Sequence, residues 1–393
     1  MSSPLDFKTE AETLREQLVA WRRDFHMHPE LAFQEHRSAG VIAERLHELG
    51  YQVQTGIATT GVVALLEGQQ PGPVVMLRFD MDALPIAEEN ETDYVSQNPG
   101  VMHACGHDGH MAMGLGVATL MAQRRDEMAG TLKLVFQPAE EGADGAEAMV
   151  KGGVLENPRP DVFLATHVWN EKPIGTVDIS PGAIMAAAEK WTCTVRGKGG
   201  HGALPHQTVD PIVATAQIVT ALQTVVSRNV SPLETAVVTV GTVHGGDAFN
   251  VIPAQVELSG TIRTYDPATR ETVLRRVREV IEGVAAACGA VAELEIVPLT
   301  PALINDAEVA EVVRAAAQAV VGPENVSSEE RTMGSEDAAF FMQEVPGCYF
   351  FLGSANVERG LNAPHHNSRF DFDEDALPLG VAVLMHALAH YLL

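Results

Sequence analysis

The sequence predicts an α/β fold: a mostly parallel sheet covered by helices, with an inserted ferredoxin-like β-α-β-β-α-β lid domain. Three observations predict it. Short apolar runs such as "VVALLEG" and "PVVMLRFDMD" alternate with segments of helical length such as "HMAMGLGVATLMAQRR", the pattern of parallel strands covered on both faces. Between residues 186 and 299 the order changes to strand, helix, strand, strand, helix, strand, which is a split β-α-β unit. The chain has 393 residues, more than one hydrophobic core usually serves, so two domains are expected.

Taken in order, Glu10 to Phe25 has the spacing of an amphipathic helix, and "RSAGVIAERLHELG" of a second, closed by Gly50. "VVALLEG", "PVVMLRFDMD", "GTLKLVFQPAEEG" and "DVFLATHVWN" read as strands, with the helix "HMAMGLGVATLMAQRR" among them. From about Ala186, "EKWTCTVRGKGG" is a strand, and "DPIVATAQIVTALQTVVSR" is a helix with Asp210 as N-cap and Pro211 at its first position. Strands "ETAVVTVGTVHGG" and "QVELSGTIRTYD" follow. Asp266 and Pro267 open the next helix in the same way, and "VAELEIVPL" closes the unit. After Pro301 come helix, helix, strand and the C-terminal helix "EDALPLGVAVLMHALAHYLL". That tail is too small for a domain of its own and completes the first one. The expected division is therefore 1–185 with 300–393 as a catalytic domain, and 186–299 as an insertion.

Lys+Arg 26 against Asp+Glu 52 gives a net charge of −26. Such a surface repels nucleic acid and anionic membrane, so neither is an expected partner. Four cysteines far apart do not make a disulfide scaffold. The first residues carry no apolar signal core and no run approaches membrane-spanning length, so a cytoplasmic location is expected.

The chemistry concentrates in "MHACGHDGHMAMG", where three histidines, a cysteine and an aspartate share thirteen residues. Asp80 and Asp82 end "VVMLRFDMD", Glu140 and Glu141 follow "LKLVF", and His167 ends "DVFLAT". The carboxyl ends of strands hold active sites in open α/β sheets. His365 and His366 come from "APHHNSRFDFDE". Thiolate, imidazole and carboxylate together suit zinc, cobalt, nickel or manganese. Cys105 and His107, two apart, share a side in extended chain. Glu140 and Glu141, adjacent, point in opposite directions there. One can then ligate while the other faces a bound water, the division of labour that metal-assisted hydrolysis requires. Two rivals use the residues less well. A Cys105 nucleophile with His107 as base leaves the Glu pair idle, and a metal-free scaffold protein has no use for the convergent set.

"WRRDFHMHPELAFQE", "LRFDMDALPI", "MHACGHDGHMAMGLG", "FQPAEEGADGAEAMV", "KGGHGALPHQTVDPI", "FNVIPAQVELSGTIRT", "MGSEDAAFF" and "HNSRFDFDEDAL" span nearly the whole chain. In that order they resemble the signature blocks of the N-acyl-amino-acid amidohydrolases, within the aminoacylase and carboxypeptidase clan. The resemblance implies two divalent metal ions per chain and a small-molecule N-acyl amino acid substrate, N-acetyl, N-benzoyl or similar, cleaved to a carboxylic acid and an amino acid. A metallocarboxypeptidase or dipeptidase is the alternative. It also implies a homodimer or homotetramer.

Residue by residue, the resemblance implies Cys105, His107, Glu141, His167 and His366 as metal ligands. Ser368 stands where the commoner family form has proline, which leaves His365 open as the alternative to His366. Glu140 matches the general base. Asp82 matches the aspartate that orients it or a ligand, and Asp80 stands where the wider clan often has a metal histidine. His201 in "GGHGALPH" matches a histidine that reaches the scissile carbonyl oxygen, sometimes from the neighbouring subunit. Asn250 and Arg263 match residues suited to the substrate carboxylate. A tetrahedral oxyanion needs a donor besides the metal, and Arg holds a carboxylate well. His103, His110, His206 and His244 are left as structural or supporting residues.

Overall fold

The computed structural model describes residues 6–142 and 145–393. The chain divides into two compact units: Met1–Gly182, Ile304–Arg331 and Asp337–Leu393 form the first, Ala183–Leu303 and Thr332–Glu336 the second.

The first unit holds an eight-stranded sheet in the order Gln52–Ile57, Gly61–Glu67, Ala129–Gln137, Gln70–Asp80, Val162–Pro173, Gly347–Ala355, Val177–Asp178, Val326–Ser327. The four central strands run parallel, in the order that starts with Ala129–Gln137. Two antiparallel pairings add the Gln52–Glu67 hairpin at one edge. The central strands are buried on both faces, with Leu77, Phe79, Leu134, Phe136, Leu164, Phe350 and Leu352 on one and Met76, Val135, Phe163, Tyr349 and Phe351 on the other. Helices must therefore cover the sheet. His107–Ala122 and Ala376–Leu392 pack on these strands and on each other. In His107–Ala122 only Thr119 and Ala122 escape full burial, as expected of a helix that is apolar all round.

Three local expectations change. The opening helix breaks at Leu14 into Phe7–Thr13 and Arg15–Met27, the first capped by Asp6 through Thr9 N. The "HMAMG" helix begins three residues early, at His107. The edge strand Gln52–Ile57 was not expected, because "QVQTGI" is largely exposed and has no apolar run to announce it.

In the second unit, strand Ala187–Arg196, helix Pro211–Asn229, strands Ala236–His244 and Gln255–Thr264, helix Pro267–Ala287 and strand Val291–Thr300 follow one another. The sheet is antiparallel, with Gln255–Thr264 and Ala187–Arg196 at its centre. Trp191, Cys193 and Val195 alternate inward and meet Ile218, Leu222, Val273 and Val277 from the two helices. Asp210 and Asp266 cap those helices by accepting from Ile212 N and Thr269 N. The short segment Thr332–Glu336 belongs to this unit rather than to the first. Thr332 N donates to Ile184 O and Ala186 N to Gly334 O, so backbone pairing, invisible in the sequence, decides its membership. No helix among the described residues is long and apolar enough to cross a membrane.

Candidate metal centre

Asp80 closes the strand Gln70–Asp80. Its buried carboxylate accepts from Arg78 Nη1 at 2.8 Å and from His110 Nδ1 at 2.5 Å. His110 Nε2 in turn accepts from Val168 N at 3.0 Å, so both ring nitrogens of His110 are engaged. Contrary to the expectation above, Cys105 and His107 do not meet through extended chain. Between them Gly106 sits at φ 91 as the N-cap of the following helix, and a Cβ there would lie 2.3 Å from Val168 Cγ2. Only glycine fits that left-handed, crowded position. His107 Nδ1 donates to Asp82 O at 2.8 Å. That leaves Nε2 buried without a hydrogen-bond partner, 3.6 Å from Asp80 Oδ2.

His167 does not end its strand, which continues to Pro173 on its pairing with Gly347–Ala355. The neighbour on the other side pairs only as far as Arg78↔Ala165. His167 therefore sits just past the point where that neighbour stops pairing with this strand. Its Nδ1 donates to Val168 O, and its Nε2 lies 3.5 Å from Cys105 Sγ.

Glu140 and Glu141 lie in a turn, not in extended chain. Ala139 before them has φ 56. The amides of both glutamates donate to one carboxylate, that of Asp82, at 3.0 and 2.9 Å. A buried carboxylate with two N–H donors is a rigid anchor, and Asp82 thereby ties this turn to the loop that receives His107.

Of the two adjacent histidines, His365 stacks on Trp169, accepts from Asn170 N at 3.2 Å and lies 3.8 Å from Cys105 Sγ. His366 has φ 64, donates its amide to Ala104 O at 2.8 Å, and turns Nε2 to 3.1 Å from Glu141 Oε1. Asn170, which sequence reasoning missed, holds this loop by donating to Ala363 O and Asp371 O.

Among the groups of ligand-type atoms that lie within 4.8 Å of one another, two contain Cys105, one with His107 and His167 and one with Glu141 and His366. A third joins His107 to Glu140 and Glu141. Burial, then Glu141 and Glu140, push the Cys105 thiol well up. Burial pulls His107 down, but Asp80 and Asp82 outweigh it and hold it at about 10. Burial, with His110 and His365, keeps His167 well below its usual value. The cluster is thus a negative field around an orphaned imidazole nitrogen and a buried sulfur. A borderline divalent cation offsets that field and satisfies both atoms, so the residues fit such a group.

A second buried network braces the site. Arg22, fully buried, donates to Asp108 Oδ2 at 2.8 Å and Asp371 Oδ1 at 2.7 Å. Asp108 also takes His26 Nδ1 at 2.7 Å. The network links the helix that starts at His107 to the segment after His366. Arg22→Met leaves Asp371 without its cation and Asp108 with His26 alone, and is expected to destabilise the fold by roughly 3–5 kcal/mol, read as a lower urea midpoint. An unchanged midpoint would contradict the burial of this pair.

Three remaining candidates belong to the second unit. His201 is exposed on the strand Gly200–His201, and its Nδ1 accepts from Ala203 N at 3.1 Å. That strand pairs with Val251–Ile252, and Gly202 N donates to Asn250 O, so His201 and the exposed Asn250 lie side by side on one two-stranded antiparallel ribbon. Arg263 donates to Ser335 Oγ at 2.8 Å.

Residues 76–390 match the sequence profile described as peptidase family M20/M25/M40. An N-acyl-L-amino acid amidohydrolase of Geobacillus stearothermophilus is 46% identical over 286 residues, 72% of this chain and 77% of that protein. Thermostable carboxypeptidase 2 of Saccharolobus solfataricus is 37% identical over 390 residues, 98% of this chain and 96% of that one. The crystal structure of the Bacillus subtilis YXEP protein, described as a dinuclear metal-binding peptidase from the M20 family, superposes with a TM-score of 0.85 at 34% identity. It covers 96% of this chain and 98% of that one.

Proposed function

Since the chain belongs to peptidase family M20/M25/M40, we propose that it hydrolyses the amide bond of N-acyl amino acids, releasing a carboxylic acid and an amino acid. The protein is a hydrolase of that family. The observation that carries the reading is the gathering of a thiol, three imidazoles and a glutamate around two cation-sized groups, with a second glutamate beside them.

The proposed ligands are Cys105, His107, Glu141, His167 and His366, for two divalent ions per chain, with Cys105 common to both groups. Zinc, manganese, cobalt or nickel each suit this donor set. When bound, such ions act as Lewis acids that acidify water and polarise an acyl oxygen. Glu140 accepts the proton of the attacking water and delivers it to the leaving amine. Asp82 fixes the Glu140–Glu141 backbone and, through its own carbonyl, the tautomer of His107. His201 supplies an oxyanion donor. Asn250 and Arg263 hold the substrate carboxylate. A homodimer or homotetramer is the proposed assembly.

The test is a panel of N-acetyl, N-benzoyl and indole-acyl amino acids against free dipeptides, each with added divalent metals. Amino acid release from the acylated compounds is expected. Turnover of free dipeptides alone would favour a carboxypeptidase or dipeptidase, the reading that the Saccharolobus relative supports. Elemental analysis of reconstituted protein is expected to approach two ions per chain, and Cys105→Ser to lower that occupancy, since a thiolate shared by both groups becomes a weak hydroxyl ligand. Full occupancy and activity in that variant would remove Cys105 from the site.

A further inference from the structure

Six non-glycine residues among those described have positive φ, and four of them either donate to one side chain or lie one or two residues before a residue that does. They are Phe33 (φ 60), Ala58 (48), Thr59 (77) and Ala139 (56). The side chain is Glu35, fully buried. Its Oε1 accepts from Phe33 N at 3.0 Å and from Ala139 N at 3.0 Å, and its Oε2 accepts from Thr60 Oγ1 at 2.5 Å. Thr60 directly follows the Ala58–Thr59 turn and donates its amide back to Ala58 O. In the sequence Glu35 reads as an ordinary acid at the start of a helix. In the fold it joins three left-handed turns that are distant in sequence. Nearby, Glu30 O accepts from Ala83 N at 2.8 Å, so one segment ties down the neighbours of both Asp82 and Glu140.

We propose that Glu35 is a positioning residue for the turn that carries the general base: it holds Ala139 in its left-handed conformation and so fixes where the Glu140 carboxylate stands. The proposal rests on the reading of Glu140 as base. A residue with a Cβ stays at positive φ only when its surroundings over-determine it. The amides of Glu140 and Glu141 are held by Asp82, and the amide of Ala139 by Glu35. With that acceptor out of reach, Ala139 relaxes toward negative φ, and Glu140, bonded directly to it, shifts against its own Asp82 bond before Glu141, one residue further on, is affected. Glu141 keeps its Asp82 bond, so the change falls on proton transfer more than on metal binding.

Two conservative variants separate reach from charge. E35D keeps a buried carboxylate and its local bond to Phe33 N but is one methylene too short for Ala139 N. E35Q keeps the reach and one acceptor oxygen, and the Thr60 hydroxyl can turn to accept from the new amide. E35D is expected to lower kcat by about 10²-fold, the scale of a small misplacement of a reacting group, with KM and metal content near wild type. E35Q is expected to stay close to wild type. In an E140Q background, E35D is expected to add little further loss, because the two residues act through one step. Normal kcat in E35D, a heavier loss in E35Q than in E35D, or a fully additive loss on E140Q would each overturn the proposal. E140Q alone retaining turnover would instead sink the base assignment, so the two failures are distinguishable.

Discussion

Glu140→Gln is expected to lower kcat by roughly 10²–10⁴-fold, the usual worth of a general base, with the cations retained. Gln is nearly isosteric with Glu but cannot take a proton at neutral pH. The turn itself is held through backbone amides that donate to Asp82, and those bonds do not depend on the side chain at position 140. Neither group around Cys105 contains Glu140, and the group that does also holds His107 and Glu141, so occupancy is expected to survive. Glu141→Gln is the contrast: it removes the carboxylate facing His366 Nε2, and metal content is expected to fall with activity. Elemental analysis beside single-turnover rates distinguishes the two. If Glu140→Gln lost metal while Glu141→Gln kept it, base and ligand must be exchanged.

His201→Ala is expected to lower kcat by roughly 10²–10³-fold, the scale of losing one oxyanion donor, with metal content unchanged. His201 belongs to the second unit, whereas every proposed ligand belongs to the first, so the substitution leaves the cation groups intact. The one hydrogen bond of its side chain among the described residues, from Ala203 N to Nδ1, leaves Nε2 to donate to a substrate oxygen. For the proposed homodimer, mixed Glu140→Gln and His201→Ala subunits test whether the histidine acts across subunits. Regained turnover means that it does, and no regain in verified mixed dimers assigns it to its own chain. Near-normal turnover in His201→Ala alone would leave this residue only the turn bond.

The residue types of the site were legible because ligation and proton transfer admit few side chains, and those side chains stood together in short blocks. The routes by which they meet were not. Extended chain was expected to bring Cys105 to His107 and to part Glu140 from Glu141. Left-handed residues at Gly106 and Ala139 accompany those arrangements instead. Gly106 carries a signal, since a glycine between two ligand types points to a turn. Ala139 carries none: its φ rests on a carboxylate 104 residues earlier. Arg22 is similar. In "WRRDF" it reads as part of a solvated helix face, yet it is fully buried because Asp108 and Asp371 reach it from 86 and 349 residues away.

By itself the sequence determined the alternation of strand and helix, the two capped helices of the second unit and the inventory of chemical groups. Each of these is set by local terms: apolar periodicity, an Asp-Pro cap, the donor atoms of a side chain. Tertiary structure alone decided which of His365 and His366 faces Glu141, which glutamate amides Asp82 anchors, and which unit claims Thr332–Glu336. Those outcomes depend on hydrogen bonds between segments far apart in the chain. A buried polar group must find its partner wherever the fold supplies one, and no window of sequence contains both ends of such a bond.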